Sequence, residues 1–108
     1  MGWLAPSIKI AGENITVTSG LSNNVIKVSE IEAVFSQQIG KVTYDEDFLI
    51  LRSQQGKEVT AGELDVGFPE LEGFLKKELA SFPLGWRADL ETKPQGVRYQ
   101  IWQKAAAV

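Results

Sequence analysis

The 108-residue chain contains no cysteine and no histidine. The first absence removes disulfides and thiolate nucleophiles, and the two together remove zinc centres built from those ligands and every mechanism that turns on an imidazole base. Long apolar runs are also missing. Phe48-Leu49-Ile50-Leu51 is among the longest, whereas a membrane-spanning helix needs ~20 apolar residues. The opening Met1-Gly2-Trp3-Leu4-Ala5-Pro6 has neither the basic start nor the apolar stretch of a secretory signal. The cytoplasm is therefore the expected compartment, and the lack of cysteine agrees with it. Neither G-x-G-x-x-G nor G-x-x-x-x-G-K occurs, so no phosphate-cradling loop and no nucleotide cofactor are expected.

What is present reads as one folded domain over residues 1–108. Hydrophobic residues make up 44% of the chain and charged residues 23%, an ordinary globular balance with enough apolar material for one core. The net charge of −3 is unevenly spread. Residues 43–72 hold eight acids against Arg52 and Lys57, while residues 73–108 hold six bases against three acids. A nucleic-acid binder meets phosphates with a concentrated basic patch. Here the concentrated charge is acidic, and nucleic acid is not an expected partner.

Alternation of apolar residues dominates the first half. Ile8 and Ile10, then Ile15 and Val17, share parity on either side of Gly12, which predicts a hairpin. Gly20 to Asn24 reads as a turn, with a strand resuming at Val25; the stretch from Ile31 to Ile39 reads as a further strand, with a short amphipathic helix as the alternative. The stretch Phe48–Leu51 predicts a central strand covered on both faces, followed through Gly56 by a strand over Val59 and Ala61. A helix is predicted from Pro69, a residue suited to the first helical turn, with Glu70 and Glu72 against the positive end of the helix dipole. Phe68, Leu71, Phe74, Leu75, Leu79 and Phe82 give this helix an apolar stripe, and Pro83 is expected to stop it. Lys93-Pro94-Gln95-Gly96 has turn chemistry. It predicts a closing hairpin with arms Trp86–Thr92 and Val97–Gln103, Tyr99 and Ile101 facing one way and Arg98, Gln100 and Trp102 the other. The fold class expected is α+β, an antiparallel sheet of about seven or eight strands with one helix packed on a face.

Candidate sites are few. Tyr44-Asp45-Glu46-Asp47 concentrates like charge, which reads either as a solvated turn before the buried strand or as an edge that docks a cationic partner. The spaced oxygen ligands, central glycine and closing glutamate of a calcium loop are missing, and no metal is expected. Glu63 and Asp65 at a strand end, with Glu70 and Glu72 at the helix start, could crowd one rim as paired acids, yet no sugar cleft is legible and no catalytic residue is assigned. Trp86 and Trp102 are expected to support the core, and Trp3 to be the most exposed tryptophan. The non-catalytic reading assigns partner binding to Asp45, Glu46, Asp47, Glu63 and Asp65, which would steer a basic protein into place. Reversing Asp45, Glu46 and Asp47 to lysine is then expected to leave folding nearly intact. An alternative assigns anionic lipid or peptide contacts to Lys93, Arg98 and Lys104.

Over the last three-quarters of the chain, Ile26-Lys27-Val28-Ser29-Glu30-Ile31-Glu32-Ala33, Thr43-Tyr44-Asp45-Glu46-Asp47-Phe48-Leu49-Ile50-Leu51, Gly62-Glu63-Leu64-Asp65-Val66-Gly67-Phe68, Phe82-Pro83-Leu84-Gly85-Trp86 and Ile101-Trp102 follow an order similar to that of small bacterial proteins. The early strand pattern resembles pleckstrin-homology-like domains, which implies a curled sheet and a lipid or peptide ligand. Some small proteins of this organisation resemble immunity proteins that neutralise toxins of bacterial competition, which implies an acidic surface for a basic toxin. The pleckstrin-like family ends on its helix, whereas this sequence places a further hairpin after it. Neither resemblance implies a cofactor or a catalytic residue.

Overall fold

The computed structural model describes residues 6–40 and 43–105. Trp3 and the other opening residues before Pro6, and the tail from residue 106, lie outside them. The first three strands, β1 (Ser7–Ala11), β2 (Asn14–Ser19) and β3 (Ser22–Lys27), form an antiparallel meander. Both connections are two-residue turns. Gly12 and Gly20 occupy their first central positions at φ +61°, the arrangement of type II′ turns, which match the twist of paired strands. The turn after β2 is thus Gly20-Leu21 alone. Ser22, Asn23 and Asn24 belong to β3, where Thr18 donates a 2.7 Å hydrogen bond to its cross-strand partner Asn23. A run of small polar residues carried the sequence signal of a longer turn, but one glycine suffices to reverse the chain.

A single 3-10 turn, Val28–Glu30, redirects the chain before β4 (Ile31–Gly40), β5 (Asp45–Ser53) and β6 (Glu58–Gly62). These three pair antiparallel with β7 (Tyr99–Gln103) in the order β6-β5-β4-β7. The seven strands therefore lie in two antiparallel sheets, of three and four strands, not in the one sheet expected. The break falls where Val28 turns inward and β3 ceases to pair: Val28 donates to the Glu13 carbonyl at 2.8 Å and is buried. β1 is tied to the segment before the first helix by Ile8 N–H donating to Val66 at 2.7 Å and Val66 N–H donating to Pro6 at 2.9 Å.

Helix α1 (Phe68–Glu78) lays Phe68, Leu71 and Leu75 into the core, with Pro69 in its first turn as expected. It ends at Glu78, earlier than the apolar stripe suggested. Leu79 and Phe82 still reach the core from the connection beyond it, where Ser81 takes φ 63°. The main core joins both sheets to the helices: Ile8, Ile15, Val17 and Ile26 from the smaller sheet meet Val34, Leu49, Leu51, Val59 and Ala61 from the larger.

β5 is central, as predicted, and buried on both faces for different reasons. Leu49 and Leu51 point into the main core, whereas Ile50 forms a second, small cluster with Ala33 and Phe35 on the far face. The Arg52 and Arg98 guanidinium groups lie 4.9 and 5.5 Å from the Phe35 ring centroid, so long charged side chains shield apolar surface while their ends stay wet.

The closing hairpin does not form. Trp86–Glu91 is a second helix, α2, with Trp86 and Leu90 buried. A spacing of four residues fits both strand and helix periods; Ala88 between them is exposed, which fits only the helix, and Arg, Ala, Leu and Glu all favour it. Only β7 survives of the two expected arms. Its pairing with β4 shifts between Val34 and Phe35, which face Trp102 and Gln100 and leave Ile101 as an extra residue. This bulge breaks the expected alternation. Trp102 joins Tyr99 and Ile101 in packing against the main core, and its indole donates to the Ala80 carbonyl at 2.8 Å.

Candidate acidic cleft

The sequence Asp45-Glu46-Asp47 is the start of β5 and not a turn before it. Alternation along a strand sends neighbouring side chains to opposite faces, and the acidic run is split accordingly. Asp47 pairs in register with Gln38 and shares the helix-bearing face with Leu49, while Glu46 pairs with Ile39 and lies on the other face. Both are buried, at 6% and 7% exposure. Of the three acids Asp45 alone is exposed, and it too belongs to the strand. Charge reversal at Asp47 or Glu46 would place a lysine at a buried position, so the triple reversal is now expected to disturb folding.

At this end of the four-stranded sheet an open cleft of about 640 Å³ is lined by Gln38, Asp45, Asp47, Glu63, Arg87, Glu91, Lys93 and Gln95. Each comes from a definite piece of local structure. The Asp47 carboxylate accepts a 3.0 Å hydrogen bond from the Gln38 amide, and Glu63 accepts one of the same length from the Asp47 backbone. The Lys93-Pro94-Gln95-Gly96 turn is docked on the end of β4, with Gly96 N–H donating to the Gln38 carbonyl at 2.7 Å and the Gln37 side chain donating to Gly96 at 3.0 Å. Helix α2 supplies Arg87 and Glu91.

The cleft thus holds four carboxylates against two cations. Arg87 pairs outside the cleft through one guanidinium nitrogen, while its buried Nε has no hydrogen-bond partner among the described residues, and Lys93 lies over a ring. Arg87 donates to Glu72 at 3.0 Å and lies over the Phe68 and Trp86 rings, at 5.3 and 5.4 Å. The Lys93 ammonium is 5.4 Å from the Tyr99 ring centroid. Among the described residues the ion pairs are Glu32–Arg52, Glu72–Arg87 and Glu58–Arg98, and none involves a carboxylate of the cleft.

Of the five residues proposed for partner binding, Asp45, Asp47 and Glu63 meet in this cleft. Glu46 is on the opposite face, and Asp65 turns back on its own loop to accept from Gly62 N–H at 2.8 Å. The suggested crowding of Glu63 and Asp65 with Glu70 and Glu72 does not arise: Glu72 is held by Arg87 and by the Trp86 indole, which donates at 3.0 Å. Among the described residues no group of three or more carboxylates is placed to hold a metal ion. The alternative cationic set is dispersed. Lys93 sits at the acidic cleft, Arg98 pairs with Glu58 at 2.8 Å on the far sheet face, and Lys104 donates to the Ser29 carbonyl at 3.3 Å. Glu91, Gln38 and Gln95 belong to the cleft and were not singled out from the sequence. Glu91 could have been found had α2 been read as a helix, whereas the two glutamines carry no distinguishing pattern.

No helix among the described residues is long and apolar enough to cross a membrane. Comparison with known proteins returned no match to the chain from family models, curated proteins or solved structures.

Proposed function

We propose that this chain is a non-catalytic binding module whose partner is a basic protein, received at the cleft between the start of β5 and α2. The observation that carries the reading is the convergence of Asp45, Asp47, Glu63 and Glu91 in one open cleft, outside the ion pairs formed by the described residues. Placed together in this way, carboxylates repel one another, and a lysine or arginine entering from a partner relieves that repulsion. The neighbouring glutamines offer amide groups to orient the entering side chain. Charge complementarity of this kind raises the rate of encounter and selects among partners more than it adds affinity. The specific form of the reading is an immunity-type protein that neutralises a basic toxin, such as a nuclease whose own surface is built to meet phosphate. A lipid-binding, pleckstrin-like role draws no support from Lys93, Arg98 and Lys104, which do not converge.

The test uses a double charge reversal at the two exposed acids of the cleft, Asp45→Lys with Glu91→Lys, beside the wild type. Stability should change by no more than ~0.5 kcal/mol, as for surface substitutions generally. Proteins captured from the source cells are identified by mass spectrometry, and the purified pair is titrated at low and high salt. A basic protein held by the wild type, released by salt and lost by the variant is the expected result, with suppression of its toxicity on co-expression for the immunity form. A partner bound equally by both forms at every salt concentration would refute the cleft as its site.

A further inference from the structure

An open sheet ends in edge strands whose outer backbone groups lack a strand to pair with, and such an edge is a template for a second chain. Three of the four edges here are interrupted. β1 is met by the Val66 segment, to which Ile8 N–H donates at 2.7 Å. β6 ends at Gly62, whose N–H donates to the Asp65 carboxylate at 2.8 Å and whose carbonyl accepts from Asp65 N–H at 3.0 Å. β7 carries the bulge at Ile101. β3 has no such interruption. Its six residues pair with β2 in unbroken register, five of them are exposed, and among the described residues no backbone group pairs with its outer side.

Which groups of β3 face outward follows from the turn before it. A two-residue loop makes Ser19 and Ser22 a hydrogen-bonded pair, so Asn24 and Ile26 also bond to β2, and the alternate residues Asn23, Val25 and Lys27 turn their N–H and C=O away from it. One of these groups is occupied by a side chain. Lys57 Nζ donates to the Val25 carbonyl at 2.6 Å, reaching it from the turn between β5 and β6 of the other sheet. The base of that lysine is fixed. Its N–H donates to Ser53 Oγ at 3.1 Å, its carbonyl accepts from Ser53 N–H at 2.8 Å, and Gln54 N–H ties the turn to the Glu30 carbonyl at 3.1 Å. Lys57 belongs to none of the ion pairs among the described residues. Its charge is placed instead on the central outward residue of β3, the one whose side chain is apolar and 39% exposed.

We infer that Lys57 makes an autoinhibitory contact: by capping Val25 it holds the edge of β3 back from pairing with the same edge of a second copy of this chain. The occupant is a second copy because the edge is complementary to itself. On a two-fold axis at Val25, antiparallel pairing sets Val25 against Val25, Asn24 against Ile26 and Asn23 against Lys27, with no like charges opposed along the strands. The outward N–H and C=O groups of all three residues then join one ladder. Lys57 opposes this twice over. It takes the central carbonyl, and it brings one ammonium from each copy to the same axis, where the two repel. The contact uses no residue of the acidic cleft.

Sedimentation equilibrium of the full chain over a concentration series compares the wild type with Lys57→Ala and Lys57→Met. Both variants should dimerise on the order of tenfold more tightly, since a dimer of the wild type must open two Lys57 contacts, each worth about threefold at the low end for a hydrogen bond. Lys57→Arg, which keeps a charged donor, should behave as the wild type. Adding Val25→Pro to Lys57→Ala should reverse the gain, because proline there deletes an outward N–H and leaves the bonds to β2 in place. In isotope-labelled Lys57→Ala, amide shifts that change on dilution should centre on Asn23, Val25 and Lys27. Self-association of Lys57→Ala and Lys57→Met no tighter than that of the wild type would overturn the proposal. A dimer that survives Val25→Pro, or whose shifts lie away from β3, would overturn it equally.

Discussion

Two glycines six positions apart provide a sharp test of how β1 is fixed to the rest of the molecule. Gly67 caps the start of α1 with φ +93° and ψ 3°, and a Cβ built there would overlap the Ile8 carbonyl oxygen. Gly73 sits inside α1 on its exposed side, and a Cβ there would meet nothing within 4 Å. Alanine at Gly67 incurs the left-handed penalty of ~1–2 kcal/mol for an L-residue. It must also push back the Ile8 carbonyl, whose strand is anchored through the neighbouring Ile8–Val66 and Val66–Pro6 hydrogen bonds. A total of about 3 kcal/mol follows when native backbone geometry is incompatible with the new residue. Alanine at Gly73 gains up to ~1 kcal/mol of helix propensity. At ~4 °C per kcal/mol for a domain near this size, Gly67→Ala should melt about 12 °C below the wild type and Gly73→Ala up to about 4 °C above it. Thermal unfolding followed by circular dichroism measures both. A Gly67→Ala variant within ~2 °C of the wild type would refute the close packing of β1 against the helix start, since that shift equals only ~0.5 kcal/mol.

Two further substitutions probe the polar contacts that hold the helices and the β6 exit in place. Asp65→Ala removes the acceptor of the buried Gly62 N–H and should cost ~1.5–3 kcal/mol, as for hydrogen bonds to charged groups, while Asp65→Asn keeps an acceptor oxygen and should cost less; a lower urea midpoint at unchanged m-value reads the difference, and equal loss in both would point to the charge instead of the bond. Trp86→Phe removes the indole bond to Glu72 and leaves a void beside Phe68, whose ring centroid is 6.2 Å away. Its expected cost is ~2 kcal/mol in urea unfolding, and a loss under ~0.5 kcal/mol would show that α2 is not anchored through this side chain.

The features legible from the sequence were those set by neighbours in the chain. Parity of Ile8, Ile10, Ile15 and Val17 was enough for the first hairpin, because burying one face of a strand needs only alternation. The unbroken run Phe48–Leu51 marked the central strand, and Pro69 with its following stripe marked α1. Where the local signal admitted two readings, packing chose. Trp86 and Leu90 fit either period; Phe68 and Glu72 supply the other side of the Trp86 contacts, and the segment is the helix α2 in place of a strand. The bulge at Ile101 depends on β4, more than sixty residues earlier in the chain, and turned Trp102 toward the core against its apparent alternation.

The same division runs through the candidate sites. Composition alone determined that the chain lacks thiol and imidazole chemistry and that its middle segment is acidic, since these follow from which side chains exist. Which acids act together was decided by strand alternation and by docking of distant segments. Alternation separated Glu46 from Asp47, the loop after β6 claimed Asp65, and α2 with the Lys93–Gly96 turn brought Glu91, Lys93 and Gln95 to Asp45, Asp47 and Glu63. Lys57, one more charge in a turn by sequence, became the cap of the β3 edge only because the two sheets share one core. A sequence fixes the inventory of charges and hydroxyls and the local periods that turn them in or out; convergence from separate segments is a property of tertiary packing, because contact energies between distant residues have no signature in their local spacing.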